Sequence, residues 1–415
     1  MNNNERPGWE ELESLDAGGL GINQWMAIIS ISLGMFLWGF LLALAPLTTR
    51  WPFVPQDMVE YVLLSAPTAL TAGNLAVGKL SDSYGRKYTF MVTLALYGIG
   101  ALLILSANNV YGLMAGIAMA EFGLGGEEPT ALAYLAEMMP TRRREEVLIG
   151  VTNSANIGAA VAAVLALVTS MSINLQREFY GATIGVALAI MLLTRFMIPE
   201  SYRWMLFRSS RKNNLIGSSS LRLRIFVLAS MAITIVLTYA LLALVMGPYL
   251  FPRLTSWIVF LYNLGEAVGG AVGIIMLRRI GVKSFTLMAY LGGFITMMLF
   301  IPQLLLMPSN LMTFLLLLLI NGVFGELGWA ARVVLEPELF PTRTRSIGIA
   351  AVRASAYVIY MASIFFTAGF TINEYIIYNA GLWGLGFAAA LTWYLAGVET
   401  RFRTLEQVNE GARNA

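Results

Sequence analysis

The sequence predicts an all-α membrane protein in which twelve transmembrane helices form two pseudo-symmetric six-helix bundles. Three observations predict this fold. Hydrophobic residues make up 58% of the 415 residues and charged residues only 12%, about half the charged fraction of soluble domains. Twelve apolar windows are long enough to span a bilayer. A polar motif of the first half also recurs 201 residues later. These properties exclude a soluble enzyme.

The spans follow from the length of the apolar windows. A transmembrane helix needs about 20 mostly apolar residues, because each residue advances about 1.5 Å across a hydrocarbon core of about 30 Å. Prolines and asparagines separate neighbouring windows, and Pro302 and Pro308 divide the long charge-free run 284–325. The predicted spans are 24–46, 58–78, 89–107, 110–137, 147–170, 180–198, 224–246, 255–277, 284–301, 311–336, 347–370 and 375–397.

The composition also excludes most catalytic chemistry. The chain has no Cys and no His, which rules out disulfides, Cys/His zinc sites, histidine-ligated haem and a Ser-His-Asp triad. We therefore predict no enzyme activity, no metal site and no cofactor. The formal net charge of +3 is small for this length, which argues against a nucleic-acid partner.

The basic residues predict the orientation and the domain organisation. With a cytoplasmic N-terminus, the inner loops and tails hold 21 of the 27 Lys and Arg residues, as the positive-inside rule requires. No basic region precedes a cleavage site, so we predict a tail rather than a signal peptide. The predicted organisation is a cytoplasmic N-terminal tail (1–22), an N-terminal bundle (23–200), a polar linker (201–221), a C-terminal bundle (222–397) and a cytoplasmic C-terminal tail (398–415).

Two motifs occur once in each half. Glu137, Pro140, Thr141 and Arg144 end the fourth span, and Glu338, Pro341, Thr342 and Arg345 end the tenth at a constant offset of 201 residues. The loop 78–87, which contains Gly78, Asp82, Gly85 and Arg86, has a shorter counterpart at 278–283. Two copies of a six-span unit explain both pairs.

These motifs resemble those of the major facilitator superfamily. The segment 78–87 is similar to the family's G-x-L-x-D-x-x-G-R-K loop, and the segments 199–204 and 398–406 are similar to the P-E-S-P-R-W and P-E-T-x-G-x-x-L-E motifs of its sugar-porter-like branch. The resemblance implies the major facilitator fold. It also implies a secondary transporter of the sugar-porter-like or metabolite:proton symporter type, in which two halves alternate access to a midplane site.

Departures from the family patterns narrow the expected substrate. No Gln occurs from 177 to 302, so the Gln pair of hexose porters is missing from the seventh span. Ile117 stands where the fourth-span pattern has arginine, and the fifth span lacks the Gly-Pro motif of drug antiporters. The sequence therefore favours uptake or facilitation over drug/proton exchange.

The resemblance also implies a cytoplasmic gate. Asp82 can accept hydrogen bonds from free N–H groups at a helix N-terminus, and in the family this loop's aspartate closes the cytoplasmic side against the eleventh helix. Headgroup charges that serve only topology are the alternative. The predicted gate residues are Asp82, Arg86, Glu137, Arg144, Glu200, Glu338 and Arg345.

Acidic residues at membrane depth are candidates for proton coupling, because an ionised residue near a helix centre costs about 2.5–3.5 kcal/mol on insertion scales. The candidates are Glu127, Glu128, Glu266 and Glu326. The adjacent Glu127 and Glu128 cannot both ionise cheaply, so one can bind and release a proton. Alternatively, one of them pairs with an arginine as a fixed brace.

Two arginines at membrane depth are candidates for binding an anionic solute. Arg353 has no acidic residue within four positions, so its guanidinium is predicted to hold a carboxylate; snorkelling to the headgroups is the alternative. Arg332 can instead pair with Glu336 at the i,i+4 spacing. The remaining substrate-binding candidates are Asn153, Tyr239, Trp329 and Tyr357.

Together these observations predict a monomeric, proton-coupled symporter of a small polar or anionic organic solute. Its partners are the solute, protons and the lipid bilayer. Short outer loops and the absence of an N-x-S/T sequon favour a prokaryotic cell membrane. Alternatives are a passive uniporter, and a transport-dead sensor or lipid scramblase on the same scaffold.

Overall fold

Long helices traverse the whole molecule. The computed structural model describes residues 15–208, 218–246, 250–307 and 310–411. We label the twelve long helices in these ranges α1 to α12. They are α1 (Ile22–Thr48), α2 (Val59–Tyr84), α3 (Arg86–Ser106), α4 (Val110–Met138), α5 (Arg144–Val168), α6 (Ile173–Met197), α7 (Ser218–Tyr239, continued as a π-helix over Ala240–Val245), α8 (Thr255–Leu277), α9 (Val282–Leu306), α10 (Leu311–Leu339), α11 (Arg345–Thr367) and α12 (Ile372–Ala396).

These helices coincide with the twelve predicted spans, and ten of them are long and apolar enough to cross a membrane. The other two, α2 and α4, are equally long but more polar. The largest error is at α6, which begins at Ile173 rather than at 180. Its first turns contain Asn174, Gln176 and Arg177, and these polar residues hid the start of the helix from an apolar window.

The packing pattern of the first six helices repeats in the last six. In the first half, α1 packs on α5, and both α2 and α3 pack on α4. In the second half, α7 packs on α11, and both α8 and α9 pack on α10. Between the halves, α2 contacts α11 and α5 contacts α8. Moving every helix by six places along the chain turns the α2–α11 contact into the α8–α5 contact. The halves are therefore pseudo-symmetric.

The predicted domain boundaries stay predictions. The long helices of the first half lie within 22–197 and those of the second half within 218–396. A short helix, Tyr202–Arg208, follows the first half, and another, Leu405–Gly411, follows the second. Parts of the predicted tails and linker (1–14, 209–217 and 412–415) lie outside the described residues.

Glycines allow α1 and α5 to cross with their backbones in contact. A Cβ atom on Gly158 would lie 1.9 Å from the carbonyl oxygen of Phe36, and a Cβ on Gly39 would lie 1.8 Å from that of Ala155. No side chain fits at either position unless the helices separate. This contact therefore fixes α1 against α5 within the first half.

We expect Gly158→Val to destabilise the protein, because the new side chain collides with the backbone of α1. Overpacking of this kind costs about 1–3 kcal/mol, which should appear as a lower melting temperature of the purified protein in detergent. The matched control is Gly185→Val in α6, where nothing lies within 4 Å of the added Cβ. Equal melting temperatures for the two variants would contradict the close crossing.

Candidate functional site

A buried ion cluster joins the two halves at one end of the bundle, which we call the gate end. Glu137 near the end of α4 accepts from Arg86 at the start of α3 (2.9 Å) and from Arg345 at the start of α11 (2.8 Å). Ser201 Oγ also donates to Glu137. All three charged side chains are buried. Because Arg345 belongs to the second half, Glu137 ties the halves together.

Asp82 near the end of α2 makes a second contact between the halves. Its carboxylate pairs with Arg86 at 2.6 Å. It also accepts from the backbone N–H groups of Ser346 (3.3 Å) and Ile347 (2.9 Å). These are free N–H groups in the first turn of α11, where a carboxylate stabilises the helix. The predicted contact with the eleventh helix is therefore present.

The other predicted gate residues also lie at the gate end. Glu200 accepts from the backbone N–H groups of Arg86 (2.9 Å) and Lys87 (3.2 Å), so it caps α3. Arg144 and Glu338, from opposite halves, lie 3.5 Å apart. All seven predicted gate residues are thus brought together, and their role as a gate stays a prediction.

Glu399 repeats the contact of Glu200 in the second half, and the sequence reasoning did not assign it. It accepts from the backbone N–H groups of Val282 (2.9 Å) and Lys283 (3.3 Å) at the start of α9. The signal was available, because the Pro199-Glu200-Ser201 and Val398-Glu399-Thr400 segments occupy equivalent places in the two halves. In each half, the segment after the sixth helix therefore caps the third.

The two short helices are linked by an ion pair outside the membrane spans. Arg203 Nε lies 3.2 Å from Glu406, and Arg203 also pairs with Asp16 at 2.5 Å. Burial is the largest single effect and opposes the ionisation of Glu406. The charge and hydrogen bond of Arg203, a backbone hydrogen bond and the charge of Arg345 together outweigh burial and lower the pKa of this carboxyl. A lowered carboxyl pKa stabilises the folded protein when the pH is above the pKa that the group has in the unfolded chain. This stabilisation is lost as the pH falls through the lower pKa of the folded protein.

A second buried ion cluster, which we call the central cluster, lies deeper in the bundle. Arg353 of α11 forms ion pairs with Glu128 of α4 and with Glu336 of α10, the latter at 3.2 Å. Arg332 pairs with the other oxygen of Glu336 at 2.8 Å. Arg353 is eight residues from the start of α11, so it lies about 12 Å from the gate end. The cluster contains two carboxylates and two guanidinium groups, and it bridges the halves.

The structure separates the adjacent glutamates Glu127 and Glu128. Glu127 pairs with Arg195 of α6 and accepts from Thr93 Oγ1 of α3 at 2.6 Å. These partners all belong to the first half. Glu127 therefore takes the brace position that the sequence left as an alternative, whereas Glu128 faces the second half. Arg195 was not among the predicted site residues, because it lies 68 residues from its partner.

Glu266 and Glu326 lie at the contact of α8 and α10 with α5. Asn156 Nδ2 donates to Glu326 at 2.6 Å, and Asn153 Nδ2 donates to the carbonyl of Ala267 at 3.0 Å. Both glutamates are buried, and no described Lys or Arg forms an ion pair with either of them. Asn153, a predicted substrate residue, thus packs between the halves rather than in the cavity described next.

An apolar cavity lies between the halves on the side away from the gate end. Tyr239, Trp329 and Tyr357, all predicted for substrate binding, line it. Its free volume is about 30 Å³, room for one or two water molecules. The remaining lining residues are Trp38, Leu42, Ala45, Pro46, Leu63, Ala66, Pro67, Leu70, Val236, Ala240, Leu244 and Tyr360.

Two tryptophans separate this cavity from the central cluster. Trp38 of α1 and Trp329 of α10 contact each other across the halves, with ring centroids 5.8 Å apart. The guanidinium of Arg332 lies 4.3 Å from the Trp329 ring centroid and that of Arg353 lies 5.2 Å from it. Trp329 therefore has the cavity on one side and both arginines on the other.

Glu121 of α4 is a further buried carboxyl. It is 1% exposed, and neither of its oxygens has a hydrogen-bond partner among the described residues. It is buried where α11 packs against α4 at the interface between the halves.

Comparisons of the sequence with known proteins agree with this geometry. The family described as "Sugar (and other) transporter" matches residues 60–214. The 4-hydroxybenzoate transporter PcaK of Pseudomonas aeruginosa is 28% identical over 220 residues, which are 50% of this chain and 48% of that protein. Trehalose transporter 1 of Drosophila melanogaster is 31% identical over 193 residues, which are 45% of this chain and 22% of that protein. The matches therefore span about half or less of these relatives.

Solved structures match nearly the whole chain. The proton:xylose symporter XylE bound to 6-bromo-6-deoxy-D-glucose superposes with a TM-score of 0.77 at 16% identity, over 93% of this chain and 98% of that chain. The inward-open conformation of XylE from E. coli gives a TM-score of 0.66 at 17% identity, over 92% and 98%.

These comparisons confirm the resemblance to the major facilitator superfamily. The chain is a multi-pass membrane protein with the major facilitator fold, and its residues 60–214 match the sugar transporter family. The description of that family names transporters, which agrees with the prediction of no enzyme activity.

We expect Asp82→Ala to loosen the gate end, because it removes the carboxylate that pairs with Arg86 and caps α11. The chain has no Cys, so a cysteine introduced at the buried Ser346 reports accessibility without background. Loss of a cap worth about 0.5–2 kcal/mol should raise its reaction rate with a water-soluble maleimide about twofold to thirtyfold. Asp57→Ala, at an exposed position before α2, is the matched control. An unchanged rate in Asp82→Ala would contradict the contact.

Proposed function

We propose that the protein is a secondary transporter that moves a small organic solute across the cell membrane by alternating access, coupled to protons. One observation carries the proposal. Arg353 of α11 binds Glu128 of the first half and Glu336 of the second, at a depth between the closed gate end and the apolar cavity. A charge pair that joins two rigid halves inside a membrane protein can make and break as the halves rock.

The two ends of the bundle support this mechanism. At the gate end, Glu137 and Asp82 hold the halves together through Arg345 and the first turn of α11. At the opposite side, the halves are separated by the cavity, which is lined by aromatic and aliphatic residues. An asymmetry of this kind is expected when one side is closed by polar contacts and the other can widen to admit a solute.

We place the gate end in the cytoplasm, with both chain termini on that side. The basic residues of the motifs 78–87, 137–144 and 338–345 lie at this end, as the positive-inside rule requires. The protein acts as a monomer, because each half already buries its polar groups against the other.

The central cluster supports proton coupling through Glu128. A proton on Glu128 removes one charge from the pair with Arg353 and weakens the link between the halves. Glu266 and Glu326 are further candidates for proton binding. Both are buried without a described cationic partner, and a proton removes the charge whose burial is costly. Glu127 fits less well, since Arg195 and Thr93 hold it within one half.

One relative and the cavity support an organic acid as the solute. PcaK is a 4-hydroxybenzoate transporter, whereas XylE is a proton:xylose symporter and trehalose transporter 1 is named for a sugar. Two buried arginines lie below a cavity lined by tryptophan and tyrosine rings. This combination suits an anionic group on an apolar body better than a sugar, whose many hydroxyls require polar partners.

Proton coupling can be measured with purified protein in proteoliposomes. We expect organic acids to accumulate above the external concentration when an inward proton gradient is imposed, and only to equilibrate without one. Glu128→Gln should remove the gradient dependence, because the amide cannot exchange a proton. Glu127→Gln is the matched control at the neighbouring position. It leaves Arg195 buried without its partner, which costs about 3–5 kcal/mol and should lower the melting temperature. The Glu127→Gln protein that does fold should still couple uptake to the proton gradient.

Two results would contradict the coupling proposal. Equilibration that ignores the gradient in the unmodified protein would indicate a passive uniporter. Full gradient dependence in Glu128→Gln would remove Glu128 from the proton path. Solute binding without any flux would instead favour a sensor on the same scaffold.

Alternating access can be tested by locking the gate end. The hydroxyl oxygens of Ser81 in α2 and Ser346 in α11 lie 3.3 Å apart across the halves. We expect the double variant Ser81→Cys/Ser346→Cys to cross-link under oxidising conditions and to lose transport, which a reductant restores. Each single variant, treated identically, is the control. Undiminished transport by the cross-linked protein would contradict alternating access.

A further inference from the structure

The two arginines of the central cluster differ in how many of their donors are used. Arg353 uses Nε and Nη2 to donate to Glu336, and its Nη1 forms the ion pair with Glu128 although it makes no hydrogen bond within the described part of the chain. Arg332 makes one ion pair, through Nη1 to Glu336. Its Nε and Nη2 atoms are buried and have no hydrogen-bond partner among the described residues. The side chain as a whole is 0% exposed.

The unused atoms of Arg332 form one edge of the guanidinium. Nε and Nη2 carry parallel N–H bonds, which is the arrangement that binds the two oxygens of a carboxylate. Leaving buried charged donors without a partner is costly, since hydrogen bonds to charged groups are worth about 1.5–3 kcal/mol each. A buried arginine with a free bidentate edge is therefore suited to an anion from outside the chain.

We propose that Arg332, and not Arg353, binds the carboxylate of the transported solute. This inference rests on the proposed function, and it changes the residue that the sequence favoured. Arg353 is occupied in holding the halves together, whereas Arg332 is positioned by Glu336 and by the ring of Trp329 at 4.3 Å. The ligand class is an organic carboxylate.

Trp329 is then the residue that a solute must displace. It lines the cavity, its ring lies against the guanidinium of Arg332, and it contacts Trp38 of the other half. The carboxylate reaches Arg332 when the Trp38–Trp329 contact opens, and the apolar part of the solute stays in the cavity. Binding of the anion and separation of the two tryptophans are therefore one event.

The charge of the central cluster requires a proton to accompany the carboxylate. Glu128, Glu336, Arg332 and Arg353 sum to zero, so an added carboxylate leaves one uncompensated negative charge in a buried site, which is costly. A proton on Glu128 restores neutrality. Arg353 is the charged group in contact with Glu128. The other charged and titratable groups on the elements around it are Glu121 and Glu127 of α4, Arg195 of α6, Arg332 and Glu336 of α10, and Tyr357 of α11.

The test measures binding to the full chain in lipid nanodiscs by titration calorimetry, with acetate, benzoate and succinate as probes and the matching amides as uncharged controls. We expect at least one carboxylate to bind more tightly than its amide. Arg332→Gln should weaken that binding about tenfold to a hundredfold. Arg332→Lys keeps the positive charge but loses the paired donors, so it should weaken carboxylate binding less than Arg332→Gln does. Arg353→Gln is the matched comparison, and its loss should be smaller than that of Arg332→Gln.

Proton uptake provides a readout that a merely structural role of Arg332 would not change. Titrations in buffers of different ionisation enthalpy should show that about one proton is taken up for each carboxylate bound. Glu128→Gln should abolish this uptake. Thermal melting identifies any variant that fails to fold, and Arg332→Lys then replaces Arg332→Gln in the comparison.

Three results would overturn the inference. They are equal binding of every carboxylate and its amide, unchanged binding in the folded Arg332 variant, and a larger loss in Arg353→Gln than in Arg332→Gln. Failure of the proposed function is distinguishable from these. If carboxylates bind through Arg332 but no flux occurs in proteoliposomes, transport is rejected and the binding site is retained. If proton-driven uptake occurs and is unchanged in the Arg332 variants, transport is retained and the binding site at Arg332 is rejected.

Discussion

The cost of burying charge in a membrane protein determines how the two halves meet. A lone ionised side chain at this depth is expensive, so it needs a partner of opposite charge or a proton. Several partners here come from opposite halves, as in Glu137 with Arg345 and Glu128 with Arg353. Other pairs, such as Glu127 with Arg195, lie within one half, so the electrostatic requirement of each half is met partly by the other. Under the proposed mechanism, the pairs across the interface are the ones that protonation or an anionic solute affects most.

The same requirement explains why the buried glutamates differ in role. Glu127 and Glu128 are neighbours in the sequence, yet the helix turns one towards Arg195 in its own half and the other towards Arg353 in the opposite half. Under the proposed alternating access, the first pair stays intact as the halves move as rigid units. The second pair breaks, because its two charges belong to different halves.

The fold was predictable from the sequence to a large extent, but the central cluster was not. Apolar length gave the twelve spans, and the recurrence of Glu137 and Glu338 gave the two halves. Local spacing also gave the pair of Arg332 with Glu336, since these are four residues apart. Arg353 was expected to be free because no acid lies near it in sequence. Its partner Glu128 lies in a helix of the other half, and only the packing of α11 against α4 brings the two together. Pairings of this kind depend on helix rotation, which apolar windows do not specify.

The caps at Glu200 and Glu399 carry a consequence for the origin of the chain. Each carboxylate joins the end of a six-helix unit to the start of the third helix of the same unit, so this one contact of each unit does not involve the other. An ancestral gene that encoded a single such unit would already have produced this contact. Two identical copies of this unit would have packed side by side in the arrangement that the two halves have now. Duplication and fusion of the gene would then have let the two copies diverge.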